Sequence, residues 1–314
     1  MSPQPTRADV TAAARRIEGA VRRTPVVDVD PADLGVSGRL ALKLELVQHA
    51  GSFKARGALN ALLVGPVDEA GVLVASGGNH GAAVAWAAQR LGHRATVFVP
   101  DIVAPAKVDR LRAYGAEVRV VPGVYADALA AARAFGRDRP ALSVHAYDDP
   151  AVVAGAGTLA AELEAQVPDV DTVVVACGGG GLSAGLATWF GRGRVRLVVA
   201  ETAGTATFAA ARAAGGPVDV AVSGLAADAL GATRLGGIAW RALSGVEATS
   251  VVVADDDVRA AQRRLWDGLR LVTEPAAATA LAALTSGAYR PEPDERVVVV
   301  LCGANTDPSS VTGG

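Results

Sequence analysis

The sequence predicts an α/β fold with a mainly parallel sheet, and three observations lead to that prediction. Short apolar segments of strand length alternate with longer segments of helical period along nearly the whole chain. Two of the turns between a strand and the following helix are rich in glycine. The chain has 314 residues, 51% of them hydrophobic, which suits two ordinary domains or one large α/β domain. Parallel strands need long connections, so the helices are expected to be the crossovers.

The first half of the chain alternates five predicted helices with five predicted strands. The helices are expected at residues 8–20, 53–63, 82–91, 106–114 and 126–135, and the strands at 40–46, 71–75, 95–99, 117–121 and 143–146. The strand at 40–46 is predicted because leucines alternate with charged residues that include Lys43 and Glu45. The helix at 53–63 is predicted from Ser52 as its N-cap and from apolar residues such as Leu59 and Leu62.

The second half continues the same alternation. Helices are expected at residues 151–166, 182–190, 205–214, 255–269 and 275–284, and strands at 172–176, 195–200, 250–253 and 296–301. Ligands of such sheets bind at the carboxyl ends of the strands, so the turns between strands and helices are the candidate sites. Residues 307–314 are expected to form a frayed tail.

Composition excludes several classes of function. The formal net charge of -2 leaves no basic surplus for nucleic acid or for an acidic membrane. Two cysteines, Cys177 and Cys302, cannot build a disulfide scaffold, and they indicate the reducing cytoplasm. Residues 1–10 lack the apolar core of a signal peptide. The uncharged stretch 172–191 contains four consecutive glycines, so it predicts strand, turn and helix rather than a membrane span.

Lys54 is the first candidate catalytic residue. The chain has 30 basic residues, of which only Lys43, Lys54 and Lys107 are lysines. Lysine can lose its proton and attack a carbonyl, which arginine cannot do. The predicted N-cap at Ser52 puts Lys54 in the first turn of a helix, where the helix dipole disfavours the ammonium form. The alternative is an ordinary solvated lysine near a helix start.

Two glycine-rich turns are candidate anion sites. Residues 178–181 are four glycines between a strand and a helix, where free backbone N–H groups can hold a phosphate. Residues 76–81 (Ser-Gly-Gly-Asn-His-Gly) have the same layout and suit a smaller anion such as a carboxylate. A phosphate site, a carboxylate site and a neutral lysine together indicate pyridoxal phosphate (PLP), which is a phosphorylated aldehyde that acts on amino acids.

The glycine run also fits a second kind of site. Gly179, Gly181 and Ala184 match the dinucleotide fingerprint, and Glu201 follows at about the spacing expected of the ribose-binding acid. A nicotinamide or flavin oxidoreductase and a purely structural glycine turn are therefore alternatives for this stretch. The dinucleotide alternative explains neither Lys54 nor the turn at 76–81.

Several motifs together resemble one family. Residues 51–58 (Gly-Ser-Phe-Lys-Ala-Arg-Gly-Ala), 76–81, 178–181 and 302–305 (Cys-Gly-Ala-Asn) occur in the order and spacing of the PLP-dependent serine/threonine dehydratases. These enzymes have the tryptophan synthase β-like fold (fold type II), and their family includes serine racemases. The similarity extends to residues 149–158 and 273–276, and it spans roughly residues 23–307.

The resemblance implies an architecture and a cofactor. Two α/β domains with mainly parallel twisted sheets would hold PLP in the cleft between them. Residues 1–70 and 147–314 would form the large PLP-binding domain, and residues 71–146 the small domain with the substrate-carboxylate loop. A cytoplasmic homodimer without a regulatory domain is expected, with no nucleic-acid or membrane partner.

The resemblance also assigns roles to individual residues. Lys54 would form the Schiff base with PLP and then remove the Cα proton. The other cofactor-binding residues would be Phe53 against the ring, Asn79 on the ring 3-oxygen, Cys302 at the pyridine nitrogen, and Gly178, Gly179, Gly180 and Gly181 around the phosphate. Phe53 could equally be a core aromatic, and Cys302 a small buried apolar residue. Because a thiol is a weak donor, Cys302 favours elimination over transamination.

Ser76, Asn79 and His80 would bind the substrate carboxylate, although His80 could instead be a turn residue with a satisfied imidazole. Racemases of the family carry a second serine as acid/base where this chain has Gly77, so racemisation is ranked below elimination. Some relatives bind a cation with a glutamate and an aspartate six residues later. Here Glu201 is followed by Thr207 at that spacing, so no strong metal site is expected.

The expected reaction is dehydration and deamination of a 3-hydroxy amino acid, such as L-threonine or L-serine, to a 2-oxo acid and ammonia. The alternatives within the fold are 3-hydroxyaspartate dehydration, β-replacement and racemisation, and a third class is a PLP-binding protein without turnover. A substrate with a β-carboxylate would need a basic side chain in the pocket.

Overall fold

A computed structural model describes residues 3–312, which are arranged around two separate β-sheets. The ten strands are β1 Val26–Val29, β2 Arg39–Lys43, β3 Val72–Ala75, β4 Ala95–Pro100, β5 Glu117–Val121, β6 Leu142–Ser143, β7 Thr172–Ala176, β8 Arg196–Thr202, β9 Ala248–Val253 and β10 Arg296–Val300. The larger sheet has the order β1-β2-β10-β7-β8-β9, and the smaller has the order β5-β4-β3-β6. All strand pairs are parallel except β1 with β2. The predicted α/β class with mainly parallel sheets is confirmed.

Helices connect the strands. They are α1 Arg7–Ile17, α2 Pro31–Leu34, α3 Lys54–Val64, α4 Asn79–Leu91, α5 Pro105–Ala113, α6 Tyr125–Gly136, α7 Pro150–Gln166, α8 Gly181–Phe190, α9 Thr207–Ala214, α10 Ala227–Leu230, α11 Gly237–Ser244, α12 Asp255–Leu269, α13 Pro275–Thr285 and α14 Ser309–Thr312. Local sequence sets several of their starts. Asp149, for example, caps α7 by accepting hydrogen bonds from the N–H groups of Ala151 and Val152, next to a proline at the first helical position.

The central strands are buried on both faces, which explains their unbroken runs of valine. In the larger sheet β10 lies between β2 and β7, and Val299 is paired with Leu42 on one side and Val174 on the other. All three side chains are fully buried. The carboxyl ends of β3, β7 and β10 lead into the turns at 76–78, 177–180 and 301–303. Those turns contain the motifs singled out in the sequence.

Three local expectations were wrong. Strand β2 ends at Lys43, and the side chains of Lys43 and Glu45 are both buried rather than on an exposed face. Ser52 does not cap α3, because its hydroxyl is buried without a hydrogen-bond partner and the helix begins at Lys54. The segment 307–312 is not frayed, since α14 contacts α12 and buries Val311. Strand β1 and helix α11 were not predicted.

The ends of the chain limit two further expectations. The part of the expected tail at 313–314, and residues 1–2 of the segment examined for a signal peptide, lie outside the described residues. Within residues 3–312, every helix is too short or too polar to cross a membrane.

Candidate active site

Lys54 lies in a cavity between the two sheets, which we call the Lys54 cavity. Residues from seven segments line it, namely Phe53, Lys54, Asn79, Tyr147, Ala176, Gly178, Gly179, Gly180, Gly181, Leu182, Ala229, Leu230, Glu274, Ala276 and Cys302. This set includes every residue that the sequence assigned to the cofactor. The structure therefore brings together side chains that are more than 200 residues apart in the chain.

The amine of Lys54 has a single hydrogen-bond partner, the backbone oxygen of Ala146 at 2.8 Å. Burial lowers the pKa of Lys54 to about 8, and the nearby Cys302 and Glu274 oppose this shift only in part. No ion pair to Lys54 occurs within the described part of the chain. The sequence had attributed the reactive amine to the helix dipole, whereas in the structure burial is the larger cause.

Helix α3 is held in place by charged residues buried beneath it. Two residues after Lys54, the guanidinium of Arg56 donates to both carboxylate oxygens of Glu45 at 2.7 and 2.8 Å, and to Glu162 of α7 at 3.0 Å. Glycines allow α3 and α7 to approach closely. A Cβ atom on Gly57 would lie 2.8 Å from the oxygen of Val152. These contacts explain why arginine and glycine follow Lys54 in the sequence.

The glycine run forms the turn between β7 and α8. Gly180 has a φ of +85°, which favours glycine, and a Cβ atom on Gly179 would lie 2.3 Å from the ring of Tyr147. The N–H of Ala184 makes the first intrahelical bond, to the oxygen of Gly180. The preceding N–H groups at the start of α8 therefore have no partner inside the helix. Two of them belong to residues that line the Lys54 cavity, where an anion can accept from them.

Asn79 begins α4 and is fixed by two partners. Its amide nitrogen donates to both carboxylate oxygens of Glu274 at 2.8 and 2.9 Å, and its amide oxygen accepts from Asn305 at 2.6 Å. Burial raises the pKa of Glu274 to about 7, so this carboxyl group changes charge near neutral pH. The sequence analysis gave Glu274 no role. The signal that was available is an acidic residue directly before the apolar helix α13.

Phe53 and Cys302 lie on the floor of the Lys54 cavity. The N–H of Phe53 donates to the oxygen of Cys302 at 3.0 Å, and the ring of Phe53 is 5.1 Å from the Lys54 amine. Phe53 also packs against the core of the larger sheet, so both of its predicted roles are compatible with its position. Burial raises the pKa of the Cys302 thiol, which therefore stays neutral. Cys177 is buried in the core below the glycine run.

The turn at 76–81 lies beside the cavity, but two of its predicted site residues are turned away from it. The hydroxyl of Ser76 accepts from the N–H of Gly78 at 3.3 Å. The imidazole of His80 is buried 2.9 Å from the oxygen of Val144, and burial lowers its pKa to about 3, so the ring is neutral. Neither residue lines the Lys54 cavity. Binding of the substrate carboxylate by Ser76 and His80 stays a prediction, and the satisfied imidazole matches the alternative for His80.

The carboxylate of Glu201 is held by hydrogen bonds from the start of α9. It accepts from the N–H groups of Phe208 at 2.7 Å and Ala209 at 2.9 Å, and from the hydroxyl of Thr207 at 3.2 Å. It therefore caps α9. Because its oxygens are occupied in this way, Glu201 gives no support to the dinucleotide alternative.

Comparison with known proteins adds independent evidence. A model of the family described as "Pyridoxal-phosphate dependent enzyme" matches residues 17–303. Phenylserine dehydratase of Ralstonia pickettii is 37% identical over 296 residues, which cover 93% of this chain and 90% of that protein. L-threonine ammonia-lyase of Geobacter sulfurreducens is 34% identical over 95% of this chain and 75% of that protein. The structure of maize serine racemase superposes with a TM-score of 0.91 at 28% identity, covering 99% of this chain and 96% of that one.

Proposed function

Because the chain belongs to the family of pyridoxal-phosphate dependent enzymes, we propose that it converts a 3-hydroxy amino acid, such as L-threonine or L-serine, to a 2-oxo acid and ammonia. The observation that carries this proposal is the half-buried amine of Lys54, bonded to the Ala146 oxygen and lying in one cavity with the glycine turn and Asn79. The names of two relatives, a dehydratase and an ammonia-lyase, support the reaction type.

The residues of the Lys54 cavity fit PLP. The N–H groups at the start of α8 suit its phosphate, and Lys54 would bind its aldehyde covalently. Asn79 would donate one amide N–H to the ring oxygen in place of one of its two bonds to Glu274. Phe53 would contact the ring, and Cys302 would face the ring nitrogen. When bound, PLP supplies an electron sink that stabilises negative charge at the substrate Cα.

Lys54 is the proposed base for the Cα proton. A pKa near 8 lets its amine accept and return a proton close to neutral pH, whereas a solvated lysine with a pKa near 10.5 would hold its proton. The Ala146 oxygen fixes the direction of the amine. Lys54 would pass the proton taken from Cα to the β-hydroxyl, which would leave as water. The enamine that remains would tautomerise to an imine, and its hydrolysis by water would give the 2-oxo acid and ammonia.

Cys302 and Glu274 are proposed to tune the site. Cys302 keeps its proton, so it offers the ring nitrogen only a weak donor, which favours elimination over transamination. Glu274 holds the Asn79 amide nitrogen through both carboxylate oxygens. It therefore acts as a positioning residue for Asn79.

Racemisation is the second candidate, since serine racemases are among the relatives. The structure contains an observation against it. A Cβ atom at Gly77 would lie 2.6 Å from the Cγ2 atom of Val103, so the serine found in racemases of the family would require the Val103 side chain to shift. We therefore rank elimination first.

The domain boundaries, the cellular location and the oligomeric state are also proposals. The large domain would comprise residues 1–70 and 147–314, and the small domain residues 71–146. This division is supported by the two sheets, whose strands fall within those ranges. By similarity to the dehydratases, the enzyme would be a cytoplasmic homodimer.

The test is release of 2-oxo acid from L-threonine, L-serine and L-3-hydroxyaspartate by the PLP-loaded protein, with the chirality of the remaining amino acid measured in the same samples. Stoichiometric 2-oxo acid and ammonia with no D-amino acid is the expected result. Accumulation of D-amino acid faster than 2-oxo acid would replace the proposal with racemisation. Absence of both products with every hydroxy amino acid would refute it.

A further inference from the structure

A second cavity of about 380 Å³ lies beside the smaller sheet, between α6 and the segment that follows β6. We call it the Tyr125 cavity. Its wall includes Tyr125, Leu129 and Arg133 of α6, and His145 and Tyr147 of the following segment. No predicted role except that of His80, which also lines it, involves this cavity.

The Tyr125 cavity is adjacent to the reacting amine. Tyr147 lines both the Tyr125 cavity and the Lys54 cavity. Ala146, which also lines the Tyr125 cavity, accepts the hydrogen bond from the Lys54 amine. Residues 146 and 147 therefore lie at the boundary between the Lys54 amine and the second cavity.

We propose that the Tyr125 cavity receives the β-substituent of the substrate and that this substituent is an aryl ring. The inference rests on the proposed elimination and narrows its substrate class to 3-aryl-3-hydroxy amino acids. The hydrogen or methyl group of serine or threonine would use only a small part of the cavity's volume.

The chemistry of the wall favours an aryl group. The rings of His145 and Tyr147 meet edge to face with centroids 4.8 Å apart, an arrangement that a third ring can extend. Tyr125 is 56% exposed at the same cavity, and an aryl ligand would cover part of its surface. Small residues, among them Ala75, Ala132 and Gly136, also line the cavity and leave room for a ring.

Two cations also line the cavity, and they define the competing substrate class. Arg133 and Arg137 are both exposed to solvent. Tyr147, in contrast, lines both the Tyr125 cavity and the Lys54 cavity. A guanidinium can lie over an aryl face or pair with a β-carboxylate. Because the aromatic wall is the part shared with the Lys54 cavity, we assign the cavity to an aryl group, and a β-carboxylate becomes an outcome of the test.

The first measurement is binding, which does not depend on turnover. L-phenylalanine carries the ring but no β-hydroxyl, and L-alanine is its matched control. Calorimetry on the PLP-loaded protein should show phenylalanine binding at least tenfold more tightly than alanine. Tyr125→Ala and the space-filling Leu129→Trp should each reduce that preference below about threefold. Val124→Ala changes a neighbour that is also 56% exposed but does not line the cavity, and it should keep the preference. Equal binding of the two amino acids by the unaltered protein would overturn the inference.

The second measurement is the ratio of kcat/KM for L-threo-3-phenylserine to that for L-threonine. We expect a ratio of at least ten, and a decrease of at least tenfold in Tyr125→Ala. A preference for 3-hydroxyaspartate that Arg133→Gln removes would overturn the aryl assignment in favour of a carboxylate. Selective phenylalanine binding without 2-oxo acid from any substrate would refute the proposed elimination and keep the cavity assignment. Turnover of threonine without selectivity for the ring would keep the proposed elimination and refute the cavity assignment.

Discussion

Lys43 and Lys54 are both withdrawn from bulk water, but their amines have very different partners. The Lys43 amine donates to Glu162 at 2.5 Å, to the side-chain oxygen of Gln166 at 2.7 Å and to the backbone oxygen of Thr24 at 2.8 Å. These bonds use all three of its protons. Within residues 3–312, the Lys54 amine has the neutral oxygen of Ala146 as its one hydrogen-bond partner.

This difference separates a structural lysine from a reactive one. Burial lowers the pKa of both residues, because a low-dielectric environment disfavours the ammonium form. At Lys43 the carboxylate of Glu162 opposes that effect, so the charge is retained and ties β2 to α7. At Lys54 no directly bonded carboxylate compensates. Burial with a counterion therefore stabilises the fold, whereas burial without one leaves a nucleophile.

Replacing Lys54 should have the largest effect on activity. Lys54→Ala is expected to lower 2-oxo acid release by at least about 10³-fold, because both the covalent attachment and the proposed base are lost. The melting temperature of the cofactor-free protein should not fall, since no ion pair is broken. Full activity in this variant, measured with the same substrate, would end the proposed role.

Replacing Lys43 should lower the stability of the protein and leave its activity unchanged. Lys43→Met removes the cation from a buried pair and leaves Glu162 with Arg56 alone, which should cost about 3 kcal/mol of unfolding free energy. Once folded at low temperature, the variant should keep its kcat, because Lys43 does not line the Lys54 cavity. Urea unfolding and initial rates measured on the same preparation distinguish the two effects. A stable but inactive variant would contradict the comparison.

Substitution of Glu274 tests whether a carboxyl group near Lys54 affects activity without forming an ion pair with the Lys54 amine. Glu274→Gln should lower kcat/KM about tenfold by weakening the charge-assisted bond to Asn79. Since the pKa of Glu274 is about 7, the ionised acceptor forms as pH rises, and activity of the unaltered enzyme should increase through that value. The Gln variant should lose this limb of the pH profile. A rise in activity at the same pH in the variant would show that another group causes this pH dependence.

Lys107 extends the comparison to a partly exposed lysine at the surface. Its amine pairs with Asp228 and joins α5 to α10, and the carboxylate side chain is 62% exposed. Water and salt screen such a pair, so Lys107→Ala and Asp228→Ala should each change the melting temperature by no more than about 3 °C. Thermal unfolding of both variants and of their combination provides a double-mutant cycle. A coupling well above 1 kcal/mol would show that this contact belongs with the buried pairs.

Much of the fold could be predicted because its signals are local. The strand at Thr172–Ala176 and the helix at Asp255–Leu269 were predicted to the residue. The first is an apolar run followed by four glycines, and the second combines an acidic first turn with an amphipathic pattern. Strand Val26–Val29 was missed because its antiparallel pairing with β2 is a tertiary contact, and Gly237–Ser244 because glycines at its start hide the helical period.

The candidate site shows the same limit more clearly. Motif residues such as Lys54, Gly179 and Cys302 could be named from sequence, and they line one cavity. Glu274 could not, because its role depends on Asn79, 195 residues away. Nor could the burial of Lys43 be foreseen, since its partner Glu162 lies 119 residues further on. Local patterns identify residue types with suitable chemistry, but long-range packing decides which of them are paired.

The most direct test of the central claim is the pH dependence of lysine acylation in the cofactor-free protein. An amine-directed reagent is applied between pH 6 and pH 11, and peptide mass spectrometry quantifies each site, which is practical because the chain has three lysines. Lys54 should react with a midpoint near pH 8, while Lys43 stays protected in the folded protein. A midpoint near 10.5 for Lys54, or equal modification of Lys43 at pH 8, would contradict the account.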